Sequence, residues 1–488
     1  MYYLGIDFGG GSSKATLIDE KGVVIATASN EYVTTYGSDG MATQKPKDWY
    51  FSAIENIKSI LKNGINAKEI ACICFSAATH TAVLLDENDE VVDDSIYWTD
   101  TRSTKEKEFL IKNYKEYIFE KCKHLPDTIW TLPELMYLFN NKKELFNKTK
   151  HVLFAKDYVR HMFCEGYVTD YIEAEGSMLF DFDKNEWDTK LLNLAGLDIS
   201  KMPKIVRPTD FVGNVSEKAS KESGLSTTTK VICGSTDTAM EVFAAGGVKE
   251  GDMTIKLATA GRICLVSKMA FPDKHIINYS HLIDGLYYPG SGTKSCAASL
   301  RWFRDTFGGS YKDFDKLVEA TPLGSDGLFF HPYLIGELTP LANPNVRASY
   351  FGISSTHTKG HFLRALYEGV GYSLLDCFNY LKVKGLSVGN KAYILGGGAK
   401  GKIWKQIVSD ILNVELMSCE NNDSSYGGSL TAAVACGVFK SFEEASERTL
   451  KVIEVTKPNK ENHEKYIQLH KKYQEITDFT IRFYEKQD

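Results

Sequence analysis

Gly5-Ile6-Asp7-Phe8-Gly9-Gly10-Gly11-Ser12-Ser13-Lys14 begins four residues into the chain and runs straight into Ala15-Thr16-Leu17-Ile18-Asp19. Tyr3, Leu4 and Ile6 before the glycines and Ala15, Leu17 and Ile18 after them predict two strands, so three consecutive glycines fall at the tip of a hairpin. Glycine there permits positive φ angles and lets backbone N–H groups approach an anion closely. Asp7, at the end of the first strand, would face that anion, and a carboxylate beside phosphates is tolerated mainly through a divalent cation. Taken alone, the segment reads equally as a phosphate-holding turn and as a Gly-rich hairpin with an incidental Asp.

The rest of the chain sets the bounds. Its 488 residues are too many for one hydrophobic core, and two or three domains are expected. A net charge of -6 argues against a nucleic-acid or anionic-membrane surface, so any phosphate chemistry must be local. The ten cysteines form no CxxC pair, which disfavours zinc and a disulfide framework and fits a reducing cytoplasm. No basic leader precedes the first strand, and no apolar run approaches the length of a membrane span.

Three further segments carry polar groups at strand ends. Ile70 to Phe75 predicts a buried strand, followed by the small-residue loop Ser76-Ala77-Ala78-Thr79-His80, and open α/β sheets bind ligands at such carboxyl ends. Tyr97-Trp98-Thr99-Asp100-Thr101-Arg102 joins an aromatic face to a carboxylate and a guanidinium, which suits a polyhydroxylated ligand and equally suits an Arg–Asp pair at a helix start. Lys230 to Cys233 stops at Gly234-Ser235-Thr236-Asp237-Thr238, before a helix from Ala239. Asp237 there is either an N-cap or a carboxylate aimed at a crevice, kept ionised by the helix N-terminus and able to take a hydroxyl proton late in phosphoryl transfer.

Gly246 to Asp252 marks the expected domain boundary, because a second strand-turn-strand unit, Thr254 to Val266, follows with a small-residue turn at Ala258 to Gly261 and a hydroxyl at Thr259. Two such hairpins facing each other would clamp a polyphosphate. Leu328 to Pro340 reads as irregular, Thr358 to Leu381 as a long core helix, and the charged tail as a solvated outer helix. Ala392 to Leu395, Gly396-Gly397-Gly398-Ala399-Lys400-Gly401 and Lys402 to Leu412 form a strand, a glycine turn and a helix, which fits a dinucleotide fingerprint or an adenosine pocket.

Taken in order and spacing, these segments resemble the FGGY family of carbohydrate kinases over nearly the whole chain. The resemblance runs through Gly5 to Gly9, Ile96 to Arg102, Lys156-Asp157-Tyr158, Asp170 to Trp187, Gly234 to Asp237, Pro332 to Glu337, Phe351 to Ile353, Arg364 to Gly369 and Leu395 to Ala399. It implies an α/β, two-domain actin-like ATPase (ribonuclease H-like) fold with mixed sheets flanked by helices and an interdomain cleft, divided as 1–245 and 246–488. It also implies ATP and Mg2+ as cofactors and a small sugar as substrate, D-xylulose first, with other ketoses, deoxy-ketoses or polyols as alternatives; a homodimer stays open.

By the same resemblance, Asp237 matches the catalytic base and Asp7 the magnesium-associated aspartate. Gly9, Gly10, Gly11 and Ser12 match the first phosphate loop, and Ala258 to Gly261, with Thr259 and Gly261, the second. Gly397, Gly398 and Ala399 match the adenosine motif, while Thr79, His80, Trp98, Asp100, Arg102 and Thr238 fall on the sugar side. The sequence departs from the pattern of the xylulose-phosphorylating members at Gly10, where Thr or Ser is usual, and at Ala77-Ala78, Thr238 and Leu338. Two other classes compete: a nicotinamide-dependent oxidoreductase built on Gly396 to Gly401, and a non-catalytic actin-like ATPase, which has no need of a sugar cleft.

Overall fold

The computed structural model describes residues 1–485. Two mixed sheets organise it. The first orders its strands Val24–Glu31, Ser12–Asp19, Tyr2–Phe8, Ile70–Ala77, Lys230–Ile232 and Phe211–Asn214, with Ser235–Thr236 also pairing with Ile70–Ala77. The second orders Gly290–Thr293, Gly261–Leu265, Met253–Leu257, Lys391–Leu395, Glu415–Cys419 and Val452–Thr456. In these orders both sheets run through the same pairings: antiparallel, antiparallel, parallel, parallel, antiparallel. The likeness between the two hairpins is therefore a likeness of whole sheets, and the fold is the two-domain α/β architecture that the resemblance implies.

The strand Tyr2–Phe8 is buried on both faces, and its period of two decides what each face meets. Leu4, Ile6 and Phe8 pack with Trp49, Ala53, Ile57 and Ile60 of the helix Pro46–Leu61. Gly5 lies on the opposite face, against the helix Ser424–Ala435: a Cβ on Gly5 would stand 2.1 Å from the Ser425 carbonyl oxygen and 2.4 Å from the Ser429 nitrogen. Thr16 Oγ1 and Ser425 Oγ are 2.7 Å apart. A helix from late in the chain thus closes the back of the first sheet, with its N-terminus beside Asp7.

Two expectations need correction. Leu328 to Pro340 is not wholly irregular, because Phe329–His331 forms a strand paired with Ser349–Phe351. The tail helix Lys460–Glu485 is not a purely solvated layer: Tyr466, His470, Tyr473, Thr477 and Thr480, at alternating steps of four and three, are buried. Tyr466 Oη donates to Glu368 and His470 Nε2 lies 2.8 Å from Asp376, both on the long helix Lys359–Val383. Abundant Lys and Glu on the outer face hid that stripe.

Candidate active site

The site is assembled at the carboxyl ends of three adjacent parallel strands. Asp7 is in register with Ser76, and Ser76 with Ser235. Neighbouring strands stand about 4.8 Å apart, so Asp7 and the residues beyond Thr236 converge across one intervening strand. At Thr236 the chain turns into the helix Asp237–Ala244. Thr236, not Asp237, is the N-cap, accepting from Ala239 N at 3.3 Å. Asp237 is left as a part-exposed first helical residue whose Oδ1 accepts from Thr238 N at 2.6 Å and from Thr238 Oγ1 at 3.2 Å. Thr238, expected on the sugar side, uses its hydroxyl to orient Asp237.

A buried ionic network braces this strand end. Ser235 Oγ donates to Asp170 Oδ2 at 2.7 Å, and Lys156 Nζ bridges Asp170 at 2.8 Å and Asp157 at 2.6 Å, with all three charged side chains fully enclosed. The Lys156-Asp157 motif therefore positions the segment that carries Asp237.

Asp7 accepts from Ser76 Oγ at 2.7 Å. Burial first, and then the charge of Asp237, pushes its carboxyl up to about 7. A carboxylate in that setting is relieved by a cation. No cluster of three or more His, Cys, Asp or Glu able to cage a metal exists among the described residues.

In the first loop, Gly9 N donates to Ser12 O at 3.0 Å and closes the turn. From behind, Tyr32 Oη donates to Gly9 O, Thr34 Oγ1 and Gln44 Nε2 to Gly10 O, and Tyr32 N to Gly11 O. The loop carbonyls are thus tied down, leaving the N–H groups of Gly10 and Gly11 to a ligand. None of the three glycines has positive φ, contrary to the expectation for this turn. A Cβ at Gly9 or Gly11 would make only ordinary contact, at 3.5 Å from Ser12 O and 4.0 Å from Tyr32 O, and only Gly10 is sterically required, because a Cβ there would stand 2.9 Å from Tyr97 Oη.

The second loop is held differently. Cys296, Ala297 and Ala298 nitrogens donate to the carbonyls of Thr259 and Ala258, and Arg301 Nη2 donates to Thr259 Oγ1 at 3.3 Å. Gly261 is a packing position: a Cβ there would stand 2.9 Å from Thr293 Cγ2. The turn Gly397–Lys400 sits against the same hairpin. Gly396 (φ 90°) and Gly398 allow it to lie on Leu257, while a Cβ at Gly397 would meet nothing within 4 Å. Ala399 lies in that turn, where its N donates to Gly396 O at 3.1 Å.

Of the residues expected on the sugar side, His80 takes φ 80°. Its N donates to Glu173 at 3.1 Å, its Nε2 lies 3.2 Å from Tyr279 Oη, and its ring stands 4.7 Å from that of Trp130. Burial pushes the imidazole down to about 3, so it is neutral. Thr79 is buried beside it, its Cγ2 against Gly176. Trp98 is part-buried beside Tyr97. Asp100, expected to line the sugar cleft, has both oxygens taken by protein donors: Ala42 N, Arg102 N and the Arg102 guanidinium, at 2.7 to 3.1 Å. The Asp100–Arg102 pair acts as a clip on the turn.

Sequence reasoning passed over Trp130, Tyr279, Lys256 and Arg262. The last two had a signal. They are charged residues at alternate positions in the apolar strands Met253–Leu257 and Gly261–Leu265, and as cross-strand partners they share one face. Lys256 Nζ reaches Glu241 at 2.5 Å; burial opposes its charge, but Glu241, Asp237 and Asp7 together hold it protonated.

Two strand-turn-strand hairpins, a buried carboxylate at a strand end and a second carboxylate at a helix start are the parts expected of a phosphoryl-transfer site. The chain belongs to the FGGY family of carbohydrate kinases, whose N-terminal domain matches residues 2–244 and whose C-terminal domain matches residues 273–436. It is 32% identical to a xylulose kinase of Bacillus subtilis, over 98% of this chain and 97% of that one. It is 30% identical to a gluconokinase of the same organism, over 91% of this chain and 90% of the relative. A crystal structure of ligand-bound xylulose kinase from Lactobacillus acidophilus superposes with a TM-score of 0.92 at 24% identity, each chain fully covered, which shows a shared fold. Membership of a kinase family sets the nicotinamide reading of Gly396 to Gly401 aside.

Proposed function

We propose that this carbohydrate kinase transfers the γ-phosphoryl group of ATP to a hydroxyl of a small sugar, with D-xylulose the first acceptor and a sugar acid the second. The xylulose kinase relative supports the first and the gluconokinase relative the second. The observation that carries the chemistry is the register Asp7–Ser76–Ser235, which brings Asp7 and Asp237 to the same end of the first sheet across one intervening strand.

Asp237, held by Thr238, orients the attacking hydroxyl and takes its proton. The N–H groups of Gly10 and Gly11, with Ser12, hold phosphate from one side, and the Ala258 to Gly261 turn holds it from the other. Gly397 leaves room for the adenosine on the turn that Gly398 and Ala399 complete. Asp7 would hold Mg2+, which supplies charge neutralisation on the phosphates when bound. Catalysis then rests on positioning and on exclusion of water when the two halves close. The division between residues 245 and 246 is our domain boundary; each side carries one sheet and one hairpin, with Ser424–Ala435 reaching back across it. Among the described residues no helix is long and apolar enough to cross a membrane, and all ten cysteines are free thiols, which supports a cytoplasmic enzyme.

The test is Asp237→Asn in an ADP-release assay over ketoses, aldonates and polyols. Turnover falls by at least a thousandfold while ATP binding stays within a few-fold; a variant that keeps its turnover refutes the role.

A further inference from the structure

Arg262 is a buried cation with no ion pair among the described residues; the charge of Asp237 favours it without contact. On the strand Gly261–Leu265 it stands opposite Lys256 on one side and Gly292 on the other. The alternate positions Ile255, Leu257, Ile263 and Leu265 are core, so Lys256 and Arg262 share the face turned toward the helix Asp237–Ala244, where Lys256 meets Glu241. Arg262 finds no such partner. Its Nε and Nη2 are buried with no hydrogen-bond acceptor, and among the described residues no carboxylate lies within ion-pair distance.

Its surroundings are aromatic and neutral. The guanidinium carbon lies 6.0 Å from the Tyr279 ring centroid and 5.8 Å from that of Tyr288. Tyr279 in turn meets His80, and His124 stacks on Trp130. Burial keeps both imidazoles uncharged, and the positive charge of Arg262 adds to that effect. Gly290 makes the room: a Cβ there would stand 3.1 Å from Arg262 Nε. Ring faces attract the cation but accept no directed N–H bond of normal strength. A guanidinium cannot escape burial by losing its proton, and an unpaired buried charge is costly. A fold that keeps one facing its substrate side leaves the partner to the ligand.

We propose that Arg262 binds the acceptor substrate, its Nε–H and Nη2–H forming a fork to two acceptor oxygens, and that the best-matched pair is a carboxylate, so that a sugar acid gains more from Arg262 than a neutral ketose does. This rests on the assignment of the sugar side above. The aromatic lining places the guanidinium beside Tyr279, which meets His80.

The experiment compares wild type, Arg262→Lys and Arg262→Gln with D-gluconate and D-xylulose, by ADP release and by calorimetric binding of each acceptor, with thermal unfolding and ATP titration as controls. In R262Q the acceptor KM, or Kd, rises at least tenfold for gluconate and less for xylulose, with kcat changed less than KM and the ATP KM within twofold; R262K, which keeps charge but loses the fork, falls between. An unchanged acceptor KM, or an ATP KM rising in step, overturns the role. Equal fold-changes for the two acceptors overturn the carboxylate preference. Wild-type binding of both acceptors with turnover of neither counts against the proposed reaction and leaves the R262Q binding comparison decisive; no wild-type binding of either acceptor overturns the proposal itself.

Discussion

The family pattern places Thr or Ser where this chain has Gly10, so restoring a hydroxyl there ought to improve the phosphate loop. The structure predicts the reverse. A Cβ at position 10 would stand 2.9 Å from Tyr97 Oη, 3.6 Å from Cζ and 3.8 Å from Cε1. The first of these is about 0.5 Å inside ordinary contact. Tyr97 is only 5% exposed and its ring borders Trp98, so it cannot swing clear, and the loop is pinned from behind by Tyr32, Thr34 and Gln44. Overpacking of this kind costs about 1–3 kcal/mol. If the loop rather than the ring gives way, Gly10→Thr lowers kcat/KM for ATP by roughly tenfold to a hundredfold, at 1.36 kcal/mol per tenfold. Tyr97→Phe removes the oxygen and leaves the ring. In a double-mutant cycle on kcat/KM, with ADP release as the assay, G10T and Y97F therefore couple favourably by about 1 kcal/mol or more, the double variant outperforming G10T alone. Additive effects, or a G10T enzyme faster than wild type, would refute the reasoning.

Two further outcomes follow from buried contacts away from the loop. Gly5→Ala drives a methyl into the backbone of Ser425 and Ser429, at 2.1 and 2.4 Å, so the helix Ser424–Ala435 has to move. The variant should lose about 3 kcal/mol or more in urea unfolding and bind ATP more weakly; a stability within 1 kcal/mol of wild type would count against this packing. Glu175 accepts from Ser280 N and Oγ, yet burial outweighs those bonds and pushes its carboxyl up to about 8. The folded state then holds a proton that the unfolded state releases near 4.5, so this group's contribution makes stability fall as pH rises from about 4.5 to about 8 and level off above. That window, at 1.36 kcal/mol per pH unit, sets a ceiling of about 5 kcal/mol. Glu175→Gln should flatten the fall in Tm between pH 5 and 8, and an unchanged slope would exclude Glu175 as its source.

The hairpins, the strand-end carboxylates and the glycine turn were legible because each is local: a period-two apolar run, a cluster of small residues and a charged residue at the junction. What escaped was whatever depended on a partner distant in sequence. Gly10 reads as a flexible loop residue until Tyr97, 87 positions on, is found filling the space of its missing side chain. Asp100 and Arg102 looked like sugar ligands because nothing local shows that Ala42 N also needs the carboxylate. The tail helix looked solvated because a stripe of Tyr466, His470 and Tyr473 is diluted by lysines and glutamates, and only Glu368 and Asp376 on another helix reveal it as an inner face. Arg262 is the instructive case. Its place in an alternating strand was visible, and by that pattern alone it would be counted as a solvated outward residue. In the fold that outward face is the one turned to the other half of the enzyme. Polar positions of the second hairpin therefore have to be read as inward-facing, and the one without a protein partner as a contact waiting for substrate.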